Sequence, residues 1–272
     1  MRRGFSLHEL LVSLSVMGVV FALATHFAVR HMRFFRQVAD LITVRSQLGQ
    51  VTGIVRSVLA NVAPASGELL VAQDSALEIR LLTGTSFVCS GRPGTLAVPA
   101  PGASDGMSST FVRAPGPGDR LSALFSDSVG ATWLHLEVAS APVPAGSCAL
   151  DPVVGSTWSI ATAEPMQLPP GAALRFTRPL RLSLYESSDS RWYLGAKDWN
   201  ESARQFNTIQ PVAGPLLRYD DGPGSGLRFT YRDARGEQLL DPVDVARVAS
   251  VTVVARSATD STVAVIRLAN AP

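Results

Sequence analysis

Arg2-Arg3-Gly4-Phe5-Ser6-Leu7-His8-Glu9-Leu10-Leu11 leads into an apolar run whose length decides the fold. From Leu10 to Thr25 there is no charged residue. Taken as a helix at 1.5 Å per residue, residues 5–29 cover roughly 37 Å, enough to cross a hydrocarbon core about 30 Å thick. Two features separate this run from a plain anchor. A glycine stands between the arginine pair and the apolar residues, and a lone carboxylate, Glu9, lies just inside them. A carboxylate at mid-membrane costs about 3 kcal/mol on insertion scales, so an acid here marks a functional position by default.

The stretch Gly-Phe-Ser-Leu-x-Glu-Leu-Leu-Val-x-Leu, Gly4 to Leu14, resembles the class III signal of type IV pilin-like proteins. The resemblance implies that a prepilin peptidase cuts after Gly4 and that the new N-terminal residue, Phe5, is methylated. It implies that Glu9 pairs with the N-terminal amine of a neighbouring subunit. It also implies the partners: other pilin or pseudopilin subunits, the peptidase, an inner-membrane assembly platform, and the lipid bilayer before assembly. The implied location is the bacterial inner membrane, single-pass with the head in the periplasm, and then a periplasmic or cell-surface filament. One departure is visible, since the family often has a helix-kinking proline where this chain has His26.

Physical chemistry supports the resemblance on its own. A buried ammonium and a buried carboxylate each cost several kcal/mol alone and much less as a pair. Helices packed side by side can supply that pair in trans, so the charge selects one stagger between neighbours, as buried polar groups do in coiled coils. The plainer readings are a secretory signal peptide ending near Ala22-Leu23-Ala24, or a simple anchor. The first needs an apolar core of about 7–15 residues, shorter than this run, and places no acid where Glu9 stands.

The chain has 272 residues, and roughly 210 lie beyond the first helix, enough for one large domain or two small ones. The 22 glycines and 18 prolines follow no period, so the chain is neither collagen-like nor disordered. A formal charge of +2 argues against a dedicated nucleic-acid binder. Arg30, Arg33, Arg36, Arg45 and Arg56 are spaced along the helix, which reads as a solvated stripe and leaves weak DNA contact open. The arginines after the apolar run outnumber Arg2 and Arg3, so the positive-inside count does not favour a cytoplasmic N-terminus. That orientation is implied by the prepilin resemblance alone.

Both cysteines, Cys89 and Cys148, fall in the part that this orientation places outside the cytoplasm. They form either a disulfide closing a loop of about 60 residues or two free buried thiols. Neither a Cys-x-x-Cys nor a His-Cys cluster is present to bind zinc.

Beyond Val29, apolar residues continue at spacings of three and four: Phe34/Phe35, Val38, Leu41/Ile42, Leu48, Val51, Ile54/Val55, Val58/Leu59 and Val62. Pro64, Ser66 and Gly67 stop the pattern, predicting one helix of about 58 residues with a local weak point at Gly49 and Gly53. After Pro64 the period becomes two, in Leu77–Leu81, Leu134–Val138 and Leu180–Leu184, with Arg191–Gly195 as a further strand. Turn residues at 90–94, 99–106, 114–119 and 169–171 punctuate them. Residues 248–256 and 263–268 form a hairpin around 257–261. Tyr219 to Gly226 is acidic and glycine-rich; Asp220 and Asp221 are a weak calcium candidate, against the ordinary Asp-Gly turn. The order Pro211-Val212-Ala213-Gly214-Pro215-Leu216, then Tyr219-Asp220-Asp221-Gly222, then a terminal Val/Arg strand loosely resembles PilW-like minor pilins and pseudopilin J-like subunits.

A search for catalytic motifs finds no nucleophile elbow, P-loop, dinucleotide fingerprint or zinc-protease motif. His135, beside Glu137, is the one histidine beyond the helix and reads as a sheet-face residue. Trp133, Trp158, Trp192 and Trp199 are spaced as core or sheet-face aromatics, with a surface-binding patch as the alternative. The expectation is an α+β protein: leader 1–4, membrane half of the stem 5–29, amphipathic half 30–63, and an antiparallel β-rich head 64–272. It is expected to be a non-enzymatic minor pilin or pseudopilin without a cofactor. The alternatives are a type II secretion pseudopilin, and a membrane-tethered β domain that binds a ligand and never polymerises.

Overall fold

In the computed structural model, residues 7–102, 109–126, 131–148, 150, 155–220 and 222–269 are described. The chain divides into two compact units, Met1–Ser46 and Gln47–Pro272. Helix α1, Leu7–Leu59, is unbroken. In the second unit Leu48, Val51, Val55 and Leu59 recur at spacings of three and four and are buried. This apolar stripe is what holds the last turns of the helix to the β-rich unit. Gly49 and Gly53 lie on the exposed side of the same turns, and the helix passes through both without the local break the sequence allowed.

The helix ends earlier than Pro64. Val62 N–H donates to Leu59 O at 3.1 Å, and Pro64–Ser66 forms a separate 3-10 turn. Gly67, at φ +67°, closes it in the left-handed region that favours glycine. Glu68 pins the corner: its Oε2 accepts the Ala63 N–H at 2.7 Å, and its Oε1 lies 3.2 Å from Arg175.

The rest is antiparallel sheet, as the period of two predicts. The strands run in chain order as β1 (Leu69–Ala72), β2 (Ala76–Phe87), β3 (Ser90–Arg92), β4 (Thr95–Pro99), β5 (Thr110–Phe111) and β6 (Arg120–Ser126). They continue as β7 (Ala131–Glu137), β8 (Val143–Ala145), β9 (Thr157–Ala161), β10 (Ala173–Glu186), β11 (Trp192–Asn200) and β12 (Gln205–Phe206). The last are β13 (Gln210–Leu216), β14 (Leu227–Arg232), β15 (Gln238–Leu239), β16 (Ser250–Arg256) and β17 (Ser261–Arg267). The largest sheet is built on β2, β10 and β11, and β6 and β7 join it through β10. Two four-stranded sheets complete the fold, β3-β4-β9-β8 and β15-β14-β16-β17. The hairpin β16–β17 carries the expected alternation, with Val251 opposite Ile266 and Val253 opposite Ala264.

One turn assignment is corrected. Ser90 to Arg92 are strand, paired with Thr95 to Ala97, and only Pro93-Gly94 turns. Gly91 is needed there because a side chain would run into the Leu168 backbone. The core between the first two sheets gathers Leu96, Val98, Leu121, Leu136, Ile160 and Phe176. Phe111 covers it, its ring 5.3 Å from both Trp158 and Phe176.

Cys89 and Cys148 are disulfide-bonded, 59 residues apart, which rules out the free-thiol alternative. The bond shortens the free chain of the unfolded state across a large, loop-rich segment. Replacing both cysteines by serine is expected to lower unfolding free energy by about 2–4 kcal/mol. The check is a lower melting temperature of the full-length protein with unchanged strand content at room temperature.

Candidate functional site

The first unit presents its chemistry on the outside. Leu10, Leu11, Val12, Leu14, Val16 and Val20 are each more than half exposed. They lie on all sides of α1, because the sequence between Leu10 and Thr25 supplies no polar stripe. This is one helix long and apolar enough to cross a membrane. Its hydroxyls are turned inward to the backbone: Ser15 Oγ donates to Leu11 O at 2.9 Å and Thr25 Oγ1 to Phe21 O at 2.8 Å. That arrangement suits a segment with no water to bond. Glu9 sits in the first turn, exposed among these apolar neighbours. A carboxylate at a helix N-terminus is favoured by the free backbone N–H groups there. Gly4 and Phe5 lie outside the described residues.

A second group of side chains gathers in the β-rich unit. A pocket of about 220 Å³ is lined by Arg80, Asp119, Arg120, His135, Glu137 and Glu164, among others. Sequence reasoning singled out His135 and missed its surroundings, because β2, β6 and β7 bring them together from distant parts of the chain. His135 Nδ1 shares a hydrogen bond with Ser122 Oγ at 2.9 Å, which is the spacing of a base and a hydroxyl nucleophile. The rest of the environment runs the other way. Ser122 is 3% exposed, and the charged groups acting on the ring are guanidinium groups, not an orienting carboxylate. Partial burial, then Arg120, then Arg80, hold the imidazole below the ordinary histidine pKa.

The weak calcium candidate resolves into a turn at the one position described. Asp220 Oδ1 accepts the Gly222 N–H at 3.2 Å, and Asp221 lies outside the described residues. Among the described residues no group of three or more His, Cys, Asp or Glu side chains is placed to hold a metal ion. The tryptophans have separate local roles. Trp158 packs on the core, Trp133 lies 5.9 Å under Arg175, and Trp199 meets Phe206 edge-on at 5.5 Å.

No family model, curated protein or solved structure matches the chain. What the molecule presents is a long apolar N-terminal helix and a disulfide-bonded β-rich head, an architecture compatible with a pilin-like subunit.

The His135 environment gives a pH test with a definite sign. A depressed pKa means that the unfolded chain takes up this proton first, so His135 works against stability as pH falls through about 6.5 and below. Proton NMR of the ring is expected to give a midpoint below that of a free histidine. Arg80→Gln removes one of the two repelling charges and is expected to move that midpoint upward.

Proposed function

We propose that this protein is a minor pilin or pseudopilin, a structural subunit anchored in the inner membrane by α1 and then packed through it into a filament. The observation that carries the reading is the Gly4-Phe5…Glu9 signal at the head of a helix whose apolar residues face outward on every side. A helix like that is stable only in lipid or among other helices, and a subunit passing from membrane to filament uses both in turn. Burial of the apolar helix supplies the attraction. Glu9, facing the amine that peptidase cleavage exposes on a neighbour's Phe5, supplies the register. The β-rich head, stiffened by its disulfide, suits a periplasmic or extracellular setting. The same chemistry serves pilus subunits and type II secretion pseudopilins.

Glu9→Val is expected to leave membrane insertion intact and to prevent or strongly impair incorporation into filaments. Sheared filaments probed for this subunit provide the measurement, and wild-type incorporation of the variant would refute the role of Glu9. Gly4→Ala is expected to leave the precursor uncut. Mass spectrometry of the membrane-extracted protein reads this directly, since the processed chain begins at methylated Phe5 and the uncut one retains Met1.

A further inference from the structure

The charge-free run of α1 gives way to two chemically different faces between Phe27 and Arg36. Successive helical residues lie about 100° apart around the axis, which puts Phe27, His31, Phe34 and Phe35 in one sector and Arg36, Arg33 and Arg30 in another that runs from the opposite side round to its edge. The rings form a ladder, with centroids 4.8 Å apart for Phe27 and His31 and 5.4 Å for His31 and Phe35. Phe27, Phe34 and Phe35 are 66%, 59% and 62% exposed, so the ladder lacks a cover among the described residues. Among the described residues no carboxylate forms an ion pair with Arg30, Arg33 or Arg36.

The height of this band along the helix is informative. From Leu7 to His26 the helix rises about 30 Å, one hydrocarbon thickness, so Phe27 falls at the boundary and each arginine stands about 4.5 Å beyond the last. The phenylalanine rings are apolar enough to lie on the acyl side of that boundary, and His31 between them offers ring nitrogens to the headgroup side. Helical side chains lean toward the helix N-terminus, so all three guanidinium groups lean back toward the bilayer. We infer that residues 27–36 form a collar that binds the phosphates of anionic lipids where α1 leaves the membrane. The rings sit at the acyl–headgroup boundary and the three arginines engage phosphate oxygens. The collar rests on the membrane-anchored reading but not on which side of the membrane the head lies.

Carboxylates of neighbouring subunits would be the competing occupant, and this chain argues against its own copies in that role. Asp40 is the one acidic residue between Glu9 and Glu68, set against three arginines in the collar, so adjacent collars repel. The planar fork of arginine matches phosphate geometry, and lipid phosphate is present at this height all round the helix.

The test uses the purified full-length protein and a R30Q/R33Q/R36Q variant, each equilibrated with mixed phosphatidylglycerol and phosphatidylcholine and read by native mass spectrometry. Wild type is expected to retain phosphatidylglycerol in preference to phosphatidylcholine, and the variant to lose that preference by at least about tenfold. Equal retention by the two proteins overturns the collar. So does a variant that keeps its lipid but no longer co-purifies with other subunits, because the arginines then serve protein contacts. Alkaline carbonate extraction separates the two levels of the argument. Release of wild type from the membrane pellet sinks the anchored reading itself, whereas unchanged lipid retention in an inserted variant sinks only the collar.

Discussion

The second unit depends on how strand β10 shares one edge. Along one side it pairs with β2 from Ala173 to Ser183, with one register shift at Thr83. Along the other it pairs with β6 up to Thr177 and with β11 from Leu180 onward. Pro179, which has no N–H to give, stands at the handover, a place where a central strand can tolerate it. Arg178 occupies the notch. Its Nε and Nη2 each donate to an Asp119 carboxylate oxygen at 2.7 Å, and it also meets Glu201 beyond β11. Burial works against the Arg178 charge, while Asp119 and Glu201 outweigh it and raise the pKa above the ordinary arginine value. Such a pair adds little net stability over an apolar replacement, yet neither half can be removed without stranding a buried charge. Its role is to fix which strands meet at this edge.

Glu68 does similar work where the helix hands over to the sheets. Its buried carboxylate accepts the Ala63 N–H and faces Arg175, with Arg120 and Arg80 further off. Burial is the largest influence and pushes the Glu68 pKa up, against the backbone hydrogen bond and the arginines. Arg120 in turn donates to the Gly67 carbonyl at 3.2 Å, so the turn after the helix is held from both sides. Arg120, Arg175 and Arg178 of the head thus bond internal carbonyls or carboxylates, whereas Arg30, Arg33 and Arg36 of the first unit are exposed.

That contrast follows from a change of apolar pattern along one continuous helix. Where α1 is apolar on every side, its residues are exposed. Where apolar positions narrow to Leu48, Val51, Val55 and Leu59, one stripe faces the core and the rest can meet water.

The sequence by itself determined what depends on local period and composition. The long helix, the change to alternating strands after Pro64 and the terminal hairpin were all legible, because each is written in adjacent residues. The end of the helix at Leu59 and the strand at Ser90–Arg92 were not, since local turn signals yielded there to packing and to the pairing with β4. Tertiary structure alone decided the partners: Cys89 with Cys148, Arg178 with Asp119, and Ser122 with His135. Pairing is a statement about which distant strands become neighbours, and no periodicity in one strand records the register of another. Position along α1 could be read from the sequence because a helix has only one neighbour set, its own turns, whereas the pocket at His135 could be found only after β2, β10, β6 and β7 had been laid side by side.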